Sequence, residues 1–166
     1  MKKLIVSRKN FLKTIIACVM LTVLTVTSVS AQELEDLGKI VDGSKLTNEV
    51  SAESIESTLT RGNILNQGIA KITNIGGGMV NMYGSATCFV TCDKVTVKLT
   101  LQRYSGGAWY NVDMYDDVAY NTATFTRSYN VSVAKGYYYR VKGACIAQKG
   151  STTETKLPTT DGIWIG

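Results

Sequence analysis

The chain has 166 residues, with 18 Lys and Arg against 13 Asp and Glu, no His, one Pro and four Cys. That length accommodates one domain, and the missing His excludes Ser-His-Asp and Cys-His nucleophile sets and every metal site that needs an imidazole. The formal net charge of +5 suggests an anionic partner, but only until the positions of the charges are considered.

Lys2, Lys3, Arg8, Lys9 and Lys13 form a basic head, followed by an uncharged apolar run from Thr14 to Val26. The run is short for a membrane span. Val29 and Ala31 then occupy the two small-residue positions that a signal peptidase reads, so residues 1–31 are expected to be a secretory signal peptide. The competing readings are an uncleaved anchor and a lipoprotein signal at Cys18; the second fails because half the apolar segment would remain after cleavage there.

Without those five cations, 13 basic groups face 13 acidic ones. Residues 32–60 are acidic, with Glu33, Glu35, Asp36, Asp42, Glu49, Glu53 and Glu56 against Lys39 and Lys45. They hold no aromatic residue, a composition that predicts a flexible, largely disordered spacer with at most a short helix near Ser51–Leu59. A removable acidic pro-segment that shields a basic domain is the alternative reading.

From Gly62 onward the apolar residues recur with period two. Weak strands are expected over Ile69–Ile75 and within Thr153–Ile165. Val80, Met82, Ala86, Cys88 and Val90 alternate with polar or aromatic partners. Val95, Val97, Leu99 and Leu101 alternate with Lys94, Thr96, Lys98 and Thr100, the cleanest amphipathic strand in the chain. Ser105-Gly106-Gly107 marks a hairpin before the Trp109–Tyr115 strand. Phe125, Tyr129, Val131 and Val133 continue the alternation with Arg127 as its interruption. Tyr137, Tyr139, Val141 and Cys145 should face inward, and Tyr138, Arg140 and Lys142 outward. About seven strands with no helical pattern predict an all-β, antiparallel β-sandwich over residues 61–166, with a small closed barrel as the alternative.

Thr60-Arg61-Gly62-Asn63-Ile64-Leu65, the Val97–Tyr104 strand before a Gly hairpin and Trp109, Glu154-Thr155 and above all Gly136-Tyr-Tyr-Tyr-Arg-Val-Lys-Gly143 resemble a family of small secreted domains of unknown function from Gram-positive bacteria. The resemblance covers Thr60 to the C-terminus. It implies an immunoglobulin-like sandwich in an exported protein and brings no catalytic residues. Cys88, Cys92 and Cys145 depart from that family's pattern.

Export would leave these three cysteines in an oxidising compartment. Cys88 and Cys92 on one extended strand would stand about 13 Å apart, beyond disulfide reach. Either is therefore expected to pair with Cys145, Cys88 being slightly preferred; three inert buried thiols are the bland alternative. Asp113, Asp116 and Asp117 crowd after the Trp strand and are weak Ca²⁺ candidates, although calcium needs six to eight oxygens and a solvated turn is the ordinary reading. Leu157-Pro-Thr-Thr-Asp161 is one residue away from a cell-wall sorting signal, but without the apolar and basic tail that follows one, it reads as a turn that leads into a strand.

Eight of the nine Tyr lie between Tyr104 and Tyr139. Tyr104, Trp109, Tyr110, Tyr115 and Tyr138, with Arg140 and Lys142, could line a sugar-stacking or protein-binding face; an ordinary solvated sheet face is the plain alternative. The expected function is a secreted, non-enzymatic module with no catalytic residues and no cofactor, binding an extracellular glycan or surface protein and not nucleic acid. No transmembrane segment is expected after signal cleavage. The alternative is a secreted toxin or bacteriocin-like effector that acts on a neighbouring membrane.

Overall fold

A computed structural model describes residues 43–58 and 64–166 of the chain. The expected signal peptide, with Cys18, and the first part of the expected spacer lie outside the described residues.

Among the described residues every element is a strand: β1 (Leu46–Thr47), β2 (Ser51–Ser57), β3 (Leu65–Gly76), β4 (Met79–Ser105), β5 (Ala108–Ser132), β6 (Tyr137–Lys149), β7 (Thr152–Lys156) and β8 (Gly162–Ile165). Their path is β1-β8-β6-β4-β3-β2, with β5 on β4 and β7 on β6. All pairs are antiparallel except β1 with β8, so the sheet is mixed and not wholly antiparallel as expected. The ladder leaves β1 and β2 as its two ends, which is not the closed barrel held as the alternative.

The long strand β4 explains how one sheet builds a core. Its first part pairs with β3 and with the second arm of β5, from Met79↔Ser132 to Thr87↔Thr124. Its second part pairs with the first arm of β5, from Cys92↔Thr122 to Ser105↔Ala108, and on the other side with β6. Between these parts Cys88 to Thr91 stand against Ala123 alone, a bulge that bends the strand. The sheet thereby curls so that its two halves face each other. The expected separate strands before and after Cys92 are thus one bent strand, as are those after Trp109 and around Phe125.

The halves meet closely because two glycines let them. A Cβ at Gly84 would stand 2.6 Å from Leu99 Cδ2 and 2.9 Å from Val97 Cγ1, and one at Gly143 would stand 3.1 Å from the Ala70 Cβ. The alternating residues Val80, Met82 and Ala86 thus pack toward Val95, Val97, Leu99 and Leu101, all fully buried or nearly so, together with Ile72, Val141 and Ile163.

Where β5 bounds the core, side chains of its own two arms meet and cover it. Asn121 takes a left-handed conformation (φ 53°) at the fold-back. Beyond it Tyr115 stacks on Tyr129, with ring centroids 4.1 Å apart. Arg127 lies 4.1 Å over the Phe125 ring and pairs with Asp117 at 3.5 Å. The Arg that breaks the apolar alternation is therefore a covering residue at the rim of the core.

Two expectations about the segment before residue 61 need correction. Ser51–Ser57 pairs with β3 from Ser51↔Thr73 to Ser57↔Gln67, so it is a strand and not a helix or part of a disordered spacer. Lys45 N–H donates to Asp161 Oδ1 at 3.2 Å, and Arg140 Nη1 donates to the Gly43 carbonyl at 2.6 Å. Residues 43–58 belong to the folded unit despite their polar composition, because long-range ladder bonds supply what their few apolar side chains do not.

Candidate functional site: an aromatic row on the outer face

Strand alternation decides which side chains reach the outside of the half-sheet made by β5, β4, β6 and β8. With Leu101, Tyr139, Val141, Ile163 and Ile165 turned into the core, their neighbours Tyr104, Tyr138, Arg140, Lys142 and Trp164 turn out. Register then aligns them. Tyr104 pairs with Trp109 and Tyr138 with Trp164, and Arg103↔Tyr139 lies one step along, so the four rings come from four adjacent strands in one row. Their centroids are 5.1 Å apart for Tyr104–Trp109 and 4.9 Å for Tyr138–Trp164, with the rings tilted by 58° and 60°. The next row carries Gln102 and Arg140, and Lys142 follows, exposed to solvent.

Arg140 is held on all sides. Its guanidinium carbon sits 4.2 Å over the Trp109 ring, Nε donates to Gln102 Oε1 at 2.8 Å, and Nη1 donates to Gly43. Trp109 reaches across the row toward β8, where a Cβ at Gly162 would meet its Cη2 at 2.6 Å. Gly162 thus provides the seat for the indole. Gly162→Val should unseat Trp109 at a cost of about 1–3 kcal/mol. In a Trp164→Phe background, the remaining Trp109 emission should shift toward that of solvated indole; unchanged emission would show that the ring does not use this seat.

The structure brings Tyr104, Trp109, Tyr138, Arg140 and Lys142 to one face. Tyr110 does not join them: it lies opposite Arg103 near the hairpin tip, on the other side of the strand. Tyr115 is also excluded, since it faces inward opposite Leu99, stacks on Tyr129, and donates to Asp113 Oδ2 at 3.0 Å, a bond that raises its phenol pKa. Sequence reasoning missed Trp164 and Gln102. The alternation Gly162-Ile-Trp-Ile165 carried the signal for Trp164, with both Ile buried and the indole exposed between them.

The three aspartates do not converge. Asp116 is on the outer face with Lys98 at 3.6 Å, Asp117 pairs with Arg127 at the rim, and Asp113 takes the Tyr115 hydroxyl and the Met114 N–H. Among the described residues no group of His, Cys, Asp and Glu is arranged to hold a metal ion.

The expected disulfide is absent: Cys88, Cys92 and Cys145 are free and buried. Cys145 Sγ donates to the Ser85 carbonyl at 3.3 Å and Cys92 Sγ to the Val90 carbonyl at 3.5 Å, so each of these thiols is satisfied by backbone. The 13 Å separation expected for Cys88 and Cys92 is also overturned, because the bulge between them folds the strand and brings the two thiols near enough to interact. Burial pushes both Cys88 and Cys145 up to about 12, which leaves them protonated at neutral pH.

The segment that resembled a sorting signal is built into the fold. Pro158 is buried and its carbonyl accepts from Gly143 N–H, Thr160 Oγ1 accepts from Val141 N–H, and Thr159 bridges to Lys142. It carries the chain along the β6 edge from β7 to β8.

These features define an all-β domain of one curled sheet that presents an aromatic and basic outer face. The chain belongs to a family of unknown function, DUF6147, whose family model matches residues 34–162. That match begins well before residue 61, consistent with β1 and β2 being integral to the unit. No curated protein matches the chain.

Proposed function

We propose that the protein is a secreted, non-enzymatic module that binds an extracellular glycan through the row Trp109, Tyr104, Tyr138 and Trp164. The signal-like residues 1–31 support export, and the two facing halves of the curled sheet support an immunoglobulin-like sandwich as its architecture. The single observation that carries the binding reading is the alignment of four rings across four strands, beside Gln102, Arg140 and Lys142. Sugar rings present C–H faces to aromatic side chains and hydroxyls to amide and cationic donors, and Tyr and Trp supply contact area at low entropy cost. Arg140 acts by fixing Trp109, whereas Lys142 and Trp164, the latter 40% exposed, are open to a ligand.

A glycan array probed with the protein is expected to show a family of bound glycans. Trp164→Ala should lower that affinity by about tenfold or more, within the 1–3 kcal/mol expected of an aromatic contact, and Lys142→Ala by less. An array with no signal, or one on which Trp164→Ala binds as well as the parent, would sink the glycan reading.

A further inference from the structure

The strand β5 pairs with β4 and with no other strand among the described residues, so one margin of this 25-residue strand has no neighbouring strand; along it side chains of β5 itself meet the Met114 and Thr124 N–H groups and the Thr124 and Thr126 carbonyls. Sheet edges of this length invite another strand unless charge, Pro or a bulge guards them. The two arms of β5 are guarded differently. The first arm has the extra residue Val112 in its pairing with β4 and carries Asp113, Asp116 and Asp117. The second arm, from Thr122 to Ser132, has no Pro and no carboxylate, keeps an uninterrupted register from Thr124 to Ser132, and holds Arg127 as its sole charge.

We propose that the second arm of β5 is a homodimer interface, pairing antiparallel with the same arm of a second copy about a twofold axis at Ser128. The register is selected by what it sets face to face. An axis at Arg127 would place that cation opposite itself, which destabilises a pair. One residue further, Arg127 lies opposite Tyr129, Phe125 opposite Val131, Thr126 opposite Asn130, and Thr124 opposite Ser132. Each of these is a favourable class of cross-strand pair: cation with ring, aromatic with β-branched, and hydroxyl with polar. The inward residues Phe125, Tyr129 and Val131 already pack at the core margin, and the new strand would cover their edge. The outward residues Thr124, Thr126, Ser128 and Asn130 are exposed and polar, and Asn81 Nδ2 donates to both Ser128 Oγ at 2.8 Å and Asn130 Oδ1 at 2.7 Å, which ties the outer side of the arm to β4. Occupation by a second copy is favoured over a foreign peptide because this register is self-complementary. The contact is one strand wide, below the area of a standard interface, so the dimer is expected to be weak and concentration-dependent.

Sedimentation equilibrium of the protein up to about 1 mM should show a reversible monomer–dimer equilibrium. Ser128→Lys sets two cations together on the axis and should abolish the dimer, while the melting temperature of the monomer falls only slightly, through loss of the Asn81 Nδ2–Ser128 Oγ bond. Met114→Lys, on the guarded arm, should leave it intact. Under mild oxidation Ser128→Cys should give a disulfide that joins the two copies at position 128, identified by peptide mapping, and this measurement stands even if the Lys variant folds poorly. A protein that stays monomeric throughout, a dimer that survives Ser128→Lys, or one that Met114→Lys destroys instead would overturn the proposal.

Discussion

Leu99→Ala should cost about 3–5 kcal/mol and lower the melting temperature by about 10 °C or more. Leu99 is fully buried in the second part of β4, where the two halves of the curled sheet meet over Gly84. Truncation leaves a cavity between halves that are each held by their own ladder, so neither collapses easily to fill it. Gly84→Ala acts in the opposite sense: its new Cβ would stand 2.6 Å from Leu99 Cδ2, and overpacking of this kind costs about 1–3 kcal/mol. The two changes are complementary, since the methyl added at 84 occupies space vacated at 99. The double variant is therefore expected to be more stable than the sum of the single losses by about 0.5–3 kcal/mol. Denaturant unfolding of the four proteins measures this directly. Strict additivity would show that Gly84 and Leu99 do not meet.

The buried thiols give the second large effect, and it depends on pH. Cys88 and Cys145 are raised from 9.0 to about 12, chiefly by burial. A thiol whose pKa is higher folded than unfolded binds its proton more tightly in the folded state. Its contribution to stability is complete below the unfolded value near pH 9 and is lost as pH rises toward 12. For Cys145, the more deeply buried of the two, a rise of that size corresponds to something on the order of 4 kcal/mol. Urea midpoints should thus fall steeply between pH 9 and 12, and Cys145→Ala should flatten part of that fall even though it lowers stability at pH 7. A Cys145→Ala protein with the parent's pH slope would remove the thiol as its cause. In the same way, alkylation of Cys88 and Cys145 at neutral pH should be slow in the folded protein and fast in urea, since the thiolate is the reactive form.

The gap between what sequence showed and what the structure holds is clearest in the cysteines. Spacing along an ideal strand kept Cys88 and Cys92 apart, and an oxidising compartment argued for a bridge to Cys145. Neither argument could register the bulge at Cys88–Thr91, which no Gly or Pro announces. The bulge arises because β4 must serve both halves of the sheet, and that demand is tertiary. Arg127 is a similar case: as an isolated cation in an apolar alternation it reads as a break, yet Asp117 on the other arm of β5 and the Phe125 ring beneath it make that position favourable.

The outer face was more legible. Alternation alone placed Tyr138, Arg140 and Lys142 outward and Tyr139 and Val141 inward, because the pleat turns successive side chains to opposite sides whatever the neighbouring strand is. It could not separate Tyr115 from Tyr104. That choice depends on the shift between Leu101↔Asp113 and Gln102↔Asn111, which reverses the parity of β5 with respect to Trp109.

The sequence by itself determined an all-β chain, the membership of the alternating residues in one core, and the outward stripe on β6. It did so because period two is a local property of extended backbone. The tertiary structure alone decided that residues 43–58 belong to the folded unit, that four rings align in a row, and that the thiols remain unbridged. Each of these depends on register and bending between strands far apart in the chain, and the free energies that fix them lie in pairings the linear order does not display.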